Sequence, residues 1–141
     1  MKIILFFCQI DSQIMPVSTN FGFPMTSWFD FEAIALDGPQ VDDNGIKKAQ
    51  TFVHQMIADE EKTGIASNRI FLGGFSQGGA LALYSGLTYA NPIAGILAMS
   101  TWLPKSDVVL KQIESKKEVP VLQCHGDVDL IVSVKNLCCL I

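Results

Sequence analysis

From Ile70 to Tyr84 the chain reads Ile-Phe-Leu-Gly-Gly-Phe-Ser-Gln-Gly-Gly-Ala-Leu-Ala-Leu-Tyr, and no other stretch restricts the fold so tightly. An apolar run, Ile70-Phe71-Leu72, enters a glycine-rich turn, and small and apolar residues from Ala80 to Tyr84 leave it. Between them stands Gly74-Phe75-Ser76-Gln77-Gly78. A strand, a turn too sharp for ordinary side chains and then a helix is the context a nucleophile elbow requires. Glycine at the flanking positions leaves room for the tight backbone and for packing of helix on strand. Ser76 then stands at the strand's carboxyl end, with the backbone N–H of Gln77 at the helix start facing a developing oxyanion. The competing reading is a turn whose serine only caps the helix. Gly-x-Ser-x-Gly by itself does not separate the two; its placement between strand and helix favours the nucleophile.

The flanking segments predict an α/β chain with a mostly parallel sheet and helices against it. Residues 2–8, 94–99 and 119–124 are continuously apolar, as strands buried on both faces are. Asp42-Asp43-Asn44 opens a helix, its acidic residues near the positive end of the dipole. Ile46, Ala49, Val53, Met56 and Ile57 form one apolar stripe at helical spacing, and Gly64 stops it. A shorter amphipathic helix is expected over residues 106–117, on Val109 and Ile113. Residues 9–41 read as irregular, punctuated by Pro16, Gly22, Pro24, Gly38 and Pro39. Their aromatics, Phe21, Phe23, Trp28, Phe29 and Phe31, either pin the loop to the core or line a ligand site.

At 141 residues, 49% of them apolar and only 17% charged, the chain is long and apolar enough for one folded domain. A net charge of −4 and no basic-aromatic stripe speak against nucleic acid as a partner. The apolar start, Met1 to Cys8, is short and lacks a small-residue cleavage site, so it reads as a strand. No run reaches the length of a membrane span. The four cysteines, Cys8, Cys124, Cys138 and Cys139, show no metal-ligand spacing, which predicts no metal and fits reduced, mostly buried thiols in the cytoplasm. The tail Cys138-Cys139-Leu140-Ile141 fits the bare C-a-a-X prenylation pattern, with no polybasic run before it.

An activated serine needs a base, and the base needs an acid to orient it. Two candidate acids, Asp127 and Asp129, follow the strand at 119–124 in His125-Gly126-Asp127-Val128-Asp129. The sequence offers no histidine after Asp129. His125 precedes the acids at the strand end and reads as structural. His54, on the flank of the helical stripe, reads as a boundary residue.

Longer motifs now bear on the question: Pro24-Met25-Thr26-Ser27-Trp28-Phe29-Asp30, Asn44-Gly45-Ile46-Lys47-Lys48, Gly64 to Ile70, Gly73 to Leu81, Trp102-Leu103-Pro104, and Leu122-Gln123-Cys124-His125-Gly126-Asp127. Over about residues 15–129 the sequence resembles the acyl-protein thioesterases, or lysophospholipase I enzymes, of the α/β-hydrolase superfamily. The resemblance implies Ser76 as nucleophile, Asp129 as triad acid and Gln77 N–H as one oxyanion donor. It implies cofactor-free hydrolysis of thioesters on S-palmitoylated proteins, and of lysophospholipids, in the cytoplasm. Trp28 and Trp102, with Phe23, are the residues expected to line an apolar acyl groove.

The family's His-Gly-Leu-Gly-Asp oxyanion turn and its C-terminal triad histidine have no counterpart here, and Leu130 stands where the family usually has proline. Residues 1–141 are therefore expected to form a single, incomplete α/β-hydrolase domain, truncated at both ends. A strand would be missing between those at 2–8 and 70–74, leaving an unpaired edge, marginal stability and impaired catalysis. A small carboxylesterase and a non-catalytic acyl-binding form are the alternatives.

Overall fold

Four short, largely apolar segments pair side by side and in parallel to form the central sheet. The last, over Val121–Cys124, is not buried on both faces as expected, since Leu122 is 62% exposed and the Cys124 thiol is exposed too. The computed structural model describes residues 4–7, 13–35, 38–113 and 119–134. In chain order the elements are β1 (Ile4–Phe7), β2 (Gln13–Pro16), β3 (Pro24–Ser27), β4 (Phe31–Ala35), β5 (Gly38–Val41), α1 (Asp43–Lys62), β6 (Ile70–Phe75), α2 (Gln77–Thr88), β7 (Gly95–Met99), α3 (Ser106–Ile113) and β8 (Val121–Cys124). The main sheet has the order β1-β6-β7-β8, every pair parallel.

Two expectations need correction. The strand near the amino terminus does not stand apart from β6 across a gap. It pairs with β6 directly, from Ile4↔Ile70 to Phe7↔Gly73, and forms one edge of the described sheet. The backbone groups of β6 require partners, and a short apolar strand satisfies them whichever segment supplies it. Residues 9–41 are also not irregular throughout. Within them β2 pairs with β3 and β4 with β5, both antiparallel. Prolines concealed the first hairpin: Pro16 and Pro24 face each other at its inner end, a position in a two-stranded ribbon where a missing N–H is tolerated. The 106–117 helix is observed over Ser106–Ile113, and residues 114–118 lie outside the described residues.

The first helix forms as its residues dictate. The Asp42 carboxylate accepts from Asn44 N–H at 3.1 Å and Gly45 N–H at 2.8 Å, capping two donors that a helix start leaves unpaired. Ile46, Ala49, Val53 and Ile57 are buried, while Met56 sits at the margin of the stripe. Gly64, at φ +93°, ends the excursion. The second helix is buried from Gly78 through Leu87. Its all-round apolar surface fits that position against β6, β7 and α1. No helix among the described residues is long and apolar enough to cross a membrane.

Between β2 and β3 the chain turns through Phe21, at φ 55°, and Gly22, at φ 75°. Ser18 holds this turn to Asp30: its amide donates to Oδ1 at 2.8 Å and its hydroxyl to Oδ2 at 2.6 Å. Burial pushes the Asp30 carboxyl up, but the Ser18 and Phe31 bonds outweigh it and hold the group below its usual range.

The ends of α1 and α2 are joined by Tyr89, whose hydroxyl donates to Glu61 at 2.7 Å. Burial, and then the Glu61 bond, push the Tyr89 hydroxyl up to about 12, and the same bond lowers the Glu61 carboxyl. A raised tyrosine stabilises the fold below its unfolded value near 10, and that contribution is lost as pH rises toward 12. The lowered Glu61 contributes above its unfolded value and loses that contribution as pH falls. Tyr89→Phe is therefore expected to cost about 1 kcal/mol near neutral pH. The difference between wild type and variant should shrink in strong alkali and in strong acid. Urea denaturation across pH measures it; a constant difference from pH 3 to pH 12 would contradict the linkage.

Candidate active site

Strand β6 delivers Ser76 into a conformation that an L-residue rarely adopts, φ 52° and ψ −122°. Neighbouring elements hold it there. Ser76 N–H donates to Met99 O at the end of β7 at 2.9 Å. Its carbonyl accepts from Ala80 N–H at 3.0 Å and from the buried Thr101 hydroxyl at 2.7 Å. The Ser76 hydroxyl makes no capping bond to α2, so the cap reading fails. Around it the backbone is crowded: a Cβ on Gly74 would lie 2.2 Å from Gly78 C and O. One on Gly79 would lie 2.9 Å from Gly74 O and from Thr101 Cβ. Gln77 is the first residue of α2, a position whose N–H has no acceptor within the helix.

The next two strands end beside the elbow. Ser100 follows β7 at φ 44° and donates its N–H to Cys124 O, the last residue of β8, at 2.8 Å. Beyond β8, the two candidate acids part: Asp127 is exposed and Asp129 half-buried. Asp129 Oδ1 accepts from Ile131 N–H and Val132 N–H, both at 2.9 Å, and Oδ2 lies 3.5 Å from His125 Nε2. The Val132 and Ile131 amides, then His125 and the Ser100 hydroxyl, hold its carboxyl below the usual range. Asp129 is thus ionised at neutral pH, in a loop tied to the end of β7.

Both histidines form hydrogen bonds through Nε2. His125 Nε2 is 2.7 Å from Val132 O and His54 Nε2 is 2.9 Å from Ser85 O, so each donates to a carbonyl. His125 Nδ1 is buried without a partner among the described residues.

The two tryptophans have different settings. Trp28 is half-buried 6.0 Å from the Phe52 ring and lines a cleft of about 310 Å³ with Met15, Ala49, Lys48 and Asp42. Trp102 is 4% exposed, set in the core 6.1 Å from the Phe31 ring, and its indole N–H has no acceptor among the described residues. Phe23 is exposed on the hairpin.

Sequence reasoning missed the side chain of Gln77. Its Oε1 accepts from Trp28 N–H at 2.9 Å, and its Nε2 donates to Phe29 O at 2.7 Å and to Ser27 Oγ at 2.9 Å. Partners about fifty positions apart leave no local pattern; only the fold brings them together.

A sequence profile of the Phospholipase/Carboxylesterase family matches residues 4–137. The chain is 39% identical over 125 residues to acyl-protein thioesterase 1 of Gibberella zeae, covering 84% of this chain and 53% of that protein. It is 40% identical over 132 residues to acyl-protein thioesterase 1 of Mycosarcoma maydis, covering 86% and 55%. The chain thus spans about half the length of the curated relatives it matches. Among solved structures, Arabidopsis thaliana SOBER1 superposes with a TM-score of 0.78 at 32% identity, covering 89% of this chain and 60% of the other. Zea mays acyl-protein thioesterase 2 superposes with a TM-score of 0.74 at 29% identity, again over 89% and 60%.

Proposed function

The chain belongs to the Phospholipase/Carboxylesterase family and has an α/β-hydrolase fold, and from that premise we propose that it is a serine hydrolase of the acyl-protein thioesterase type. The observation that carries this reading is the strained Ser76, held by backbone bonds at the carboxyl end of β6 with its hydroxyl unused as a cap. Residues 1–141 belong to one α/β-hydrolase domain in this reading. Its substrates are S-palmitoylated proteins, with lysophospholipids as a second class, met in the cytoplasm and without a cofactor.

In the mechanism Ser76 Oγ attacks the acyl carbonyl carbon, and the oxyanion that forms is met by Gln77 N–H. The C–S bond breaks, the thiol leaves with the proton taken from Ser76, and water then cleaves the acyl-enzyme. Asp129 is the acid that would orient an imidazole. His54 and His125 both engage carbonyls through Nε2, and neither is assigned as that imidazole.

Labelling of the purified chain with a fluorophosphonate probe tests this. Slow modification confined to Ser76, and absent from Ser76→Ala, is the expected result. Modification that persists in Ser76→Ala removes the nucleophile assignment. The relative turnover of palmitoyl thioester and short-chain oxyester then separates a thioesterase from a small carboxylesterase; a preference for the short oxyester would favour the latter.

A further inference from the structure

We propose that the Gln77 side chain is a positioning residue for acyl-chain selection, fastening the Trp28 segment and the β2–β3 hairpin in register with Ser76. The inference rests on the reading of Ser76 as the nucleophile. Gln77 is covalently next to that serine, yet its side chain is spent on a segment about fifty positions earlier. It bridges Trp28 N–H and Phe29 C=O, at 2.9 and 2.7 Å, and reaches Ser27 Oγ at 2.9 Å. Ser27 Oγ in turn donates to Phe29 O at 2.8 Å.

This pattern requires an acceptor and a donor at the same side-chain end. An amide meets that requirement; a carboxylate lacks the donor and an aliphatic chain lacks both. The fixed partners also decide the amide's orientation, with Oε1 toward the Trp28 N–H and Nε2 toward the Phe29 carbonyl. Ser27 and Phe29 are buried, so these bonds are shielded from competing water. Ser27 is the last residue of β3, so the latch anchors one strand of the hairpin. Trp28 and Ser27 line the cleft that Met15 of β2 and Phe52 of α1 complete. The lining of this cleft does not include Ser76, but Gln77 ties its Ser27–Trp28 wall to the residue next to the reacting hydroxyl. In this proposal a shift of that wall changes which acyl chains sit productively at Ser76.

The test compares second-order labelling of Ser76 by ethyl and hexadecyl fluorophosphonates in the full chain and in Gln77→Met, Gln77→Glu and Ser27→Ala. Wild type should favour the hexadecyl probe. Gln77→Met, similar in length but without either polar atom, should lower the hexadecyl-to-ethyl ratio about tenfold, the scale of one or two lost hydrogen bonds. Gln77→Glu retains the acceptor and should keep part of the ratio. Ser27→Ala should lower it by about threefold, and decides the matter if Gln77→Met does not fold. Hydrogen exchange at Trp28 N–H should quicken in Gln77→Met ahead of the β6–β7 amides. Faster exchange with an unchanged ratio would make the latch purely structural and overturn the proposal, as would a wild type that does not discriminate between the probes. A wild type labelled by neither probe overturns the nucleophile reading and this inference with it. Labelling without a change of ratio overturns only the inference.

Discussion

Gly74→Ala is expected to abolish the native state, at a cost above about 4 kcal/mol. The added Cβ would sit 2.2 Å from Gly78 C and O and 2.5 Å from Gly79 N. These are backbone atoms of the first turn of α2, so no rotamer change relieves the overlap. Relief requires sliding a buried helix away from β6, which would break its packing along the sheet. Ordinary overpacking costs roughly 1–3 kcal/mol where side chains can yield; here they are not the obstacle. Gly64→Ala makes the contrast. A Cβ there meets nothing within 4 Å, and only the left-handed φ of +93° opposes it. Its cost should be about 1 kcal/mol. Urea denaturation of the two variants against wild type checks the ordering. A Gly74→Ala protein as stable as Gly64→Ala would refute the account of the elbow as a backbone-on-backbone contact.

Ser76→Gly should move stability and chemistry in opposite directions. At φ 52° and ψ −122° the serine occupies a region that favours glycine, and a side chain held there costs on the order of 1–3 kcal/mol. Glycine removes that strain but returns up to about 1 kcal/mol of entropy to the unfolded chain. The net expectation is a gain of about 1 kcal/mol, or about 3 °C in Tm for a chain of this size. Fluorophosphonate labelling should disappear altogether. Ser76→Ala loses the same hydroxyl yet keeps the Cβ, so it should remain close to wild type in stability. Calorimetry of the three proteins measures the difference. Equal melting temperatures for Ser76→Gly and Ser76→Ala would mean that the elbow stores no strain, and would weaken its reading as a site that trades stability for function.

Much of this arrangement is written locally. Gly74, Ser76 and Gly78 between an apolar run and a helix specify the elbow, because a turn that tight has few sterically allowed sequences. The stripe from Ile46 to Ile57 and the Asp42 cap specify α1 for similar reasons: period and capping act within a few residues of themselves. Even the acid loop is announced by the spacing of His125, Asp127 and Asp129. The choice between the two aspartates needed the wider motif; in the fold, the Ile131 and Val132 amides that Asp129 accepts from are what distinguish their surroundings.

Pairing is another matter. That Ile4–Phe7 lies directly against β6 depends on which edge is left open in three dimensions, and an apolar strand carries no address of its neighbour. The hairpins in residues 13–41 were hidden because prolines and glycines read as breakers, whereas an isolated two-stranded ribbon tolerates them at its ends. Gln77 shows the limit most clearly. Its backbone role follows from its place after Ser76, but its side-chain role depends on Ser27, Trp28 and Phe29 arriving from far along the chain. Local sterics and periodicity act over a few residues and can be read in one dimension; hydrogen bonds that close long loops exist only once the tertiary fold has brought their ends together.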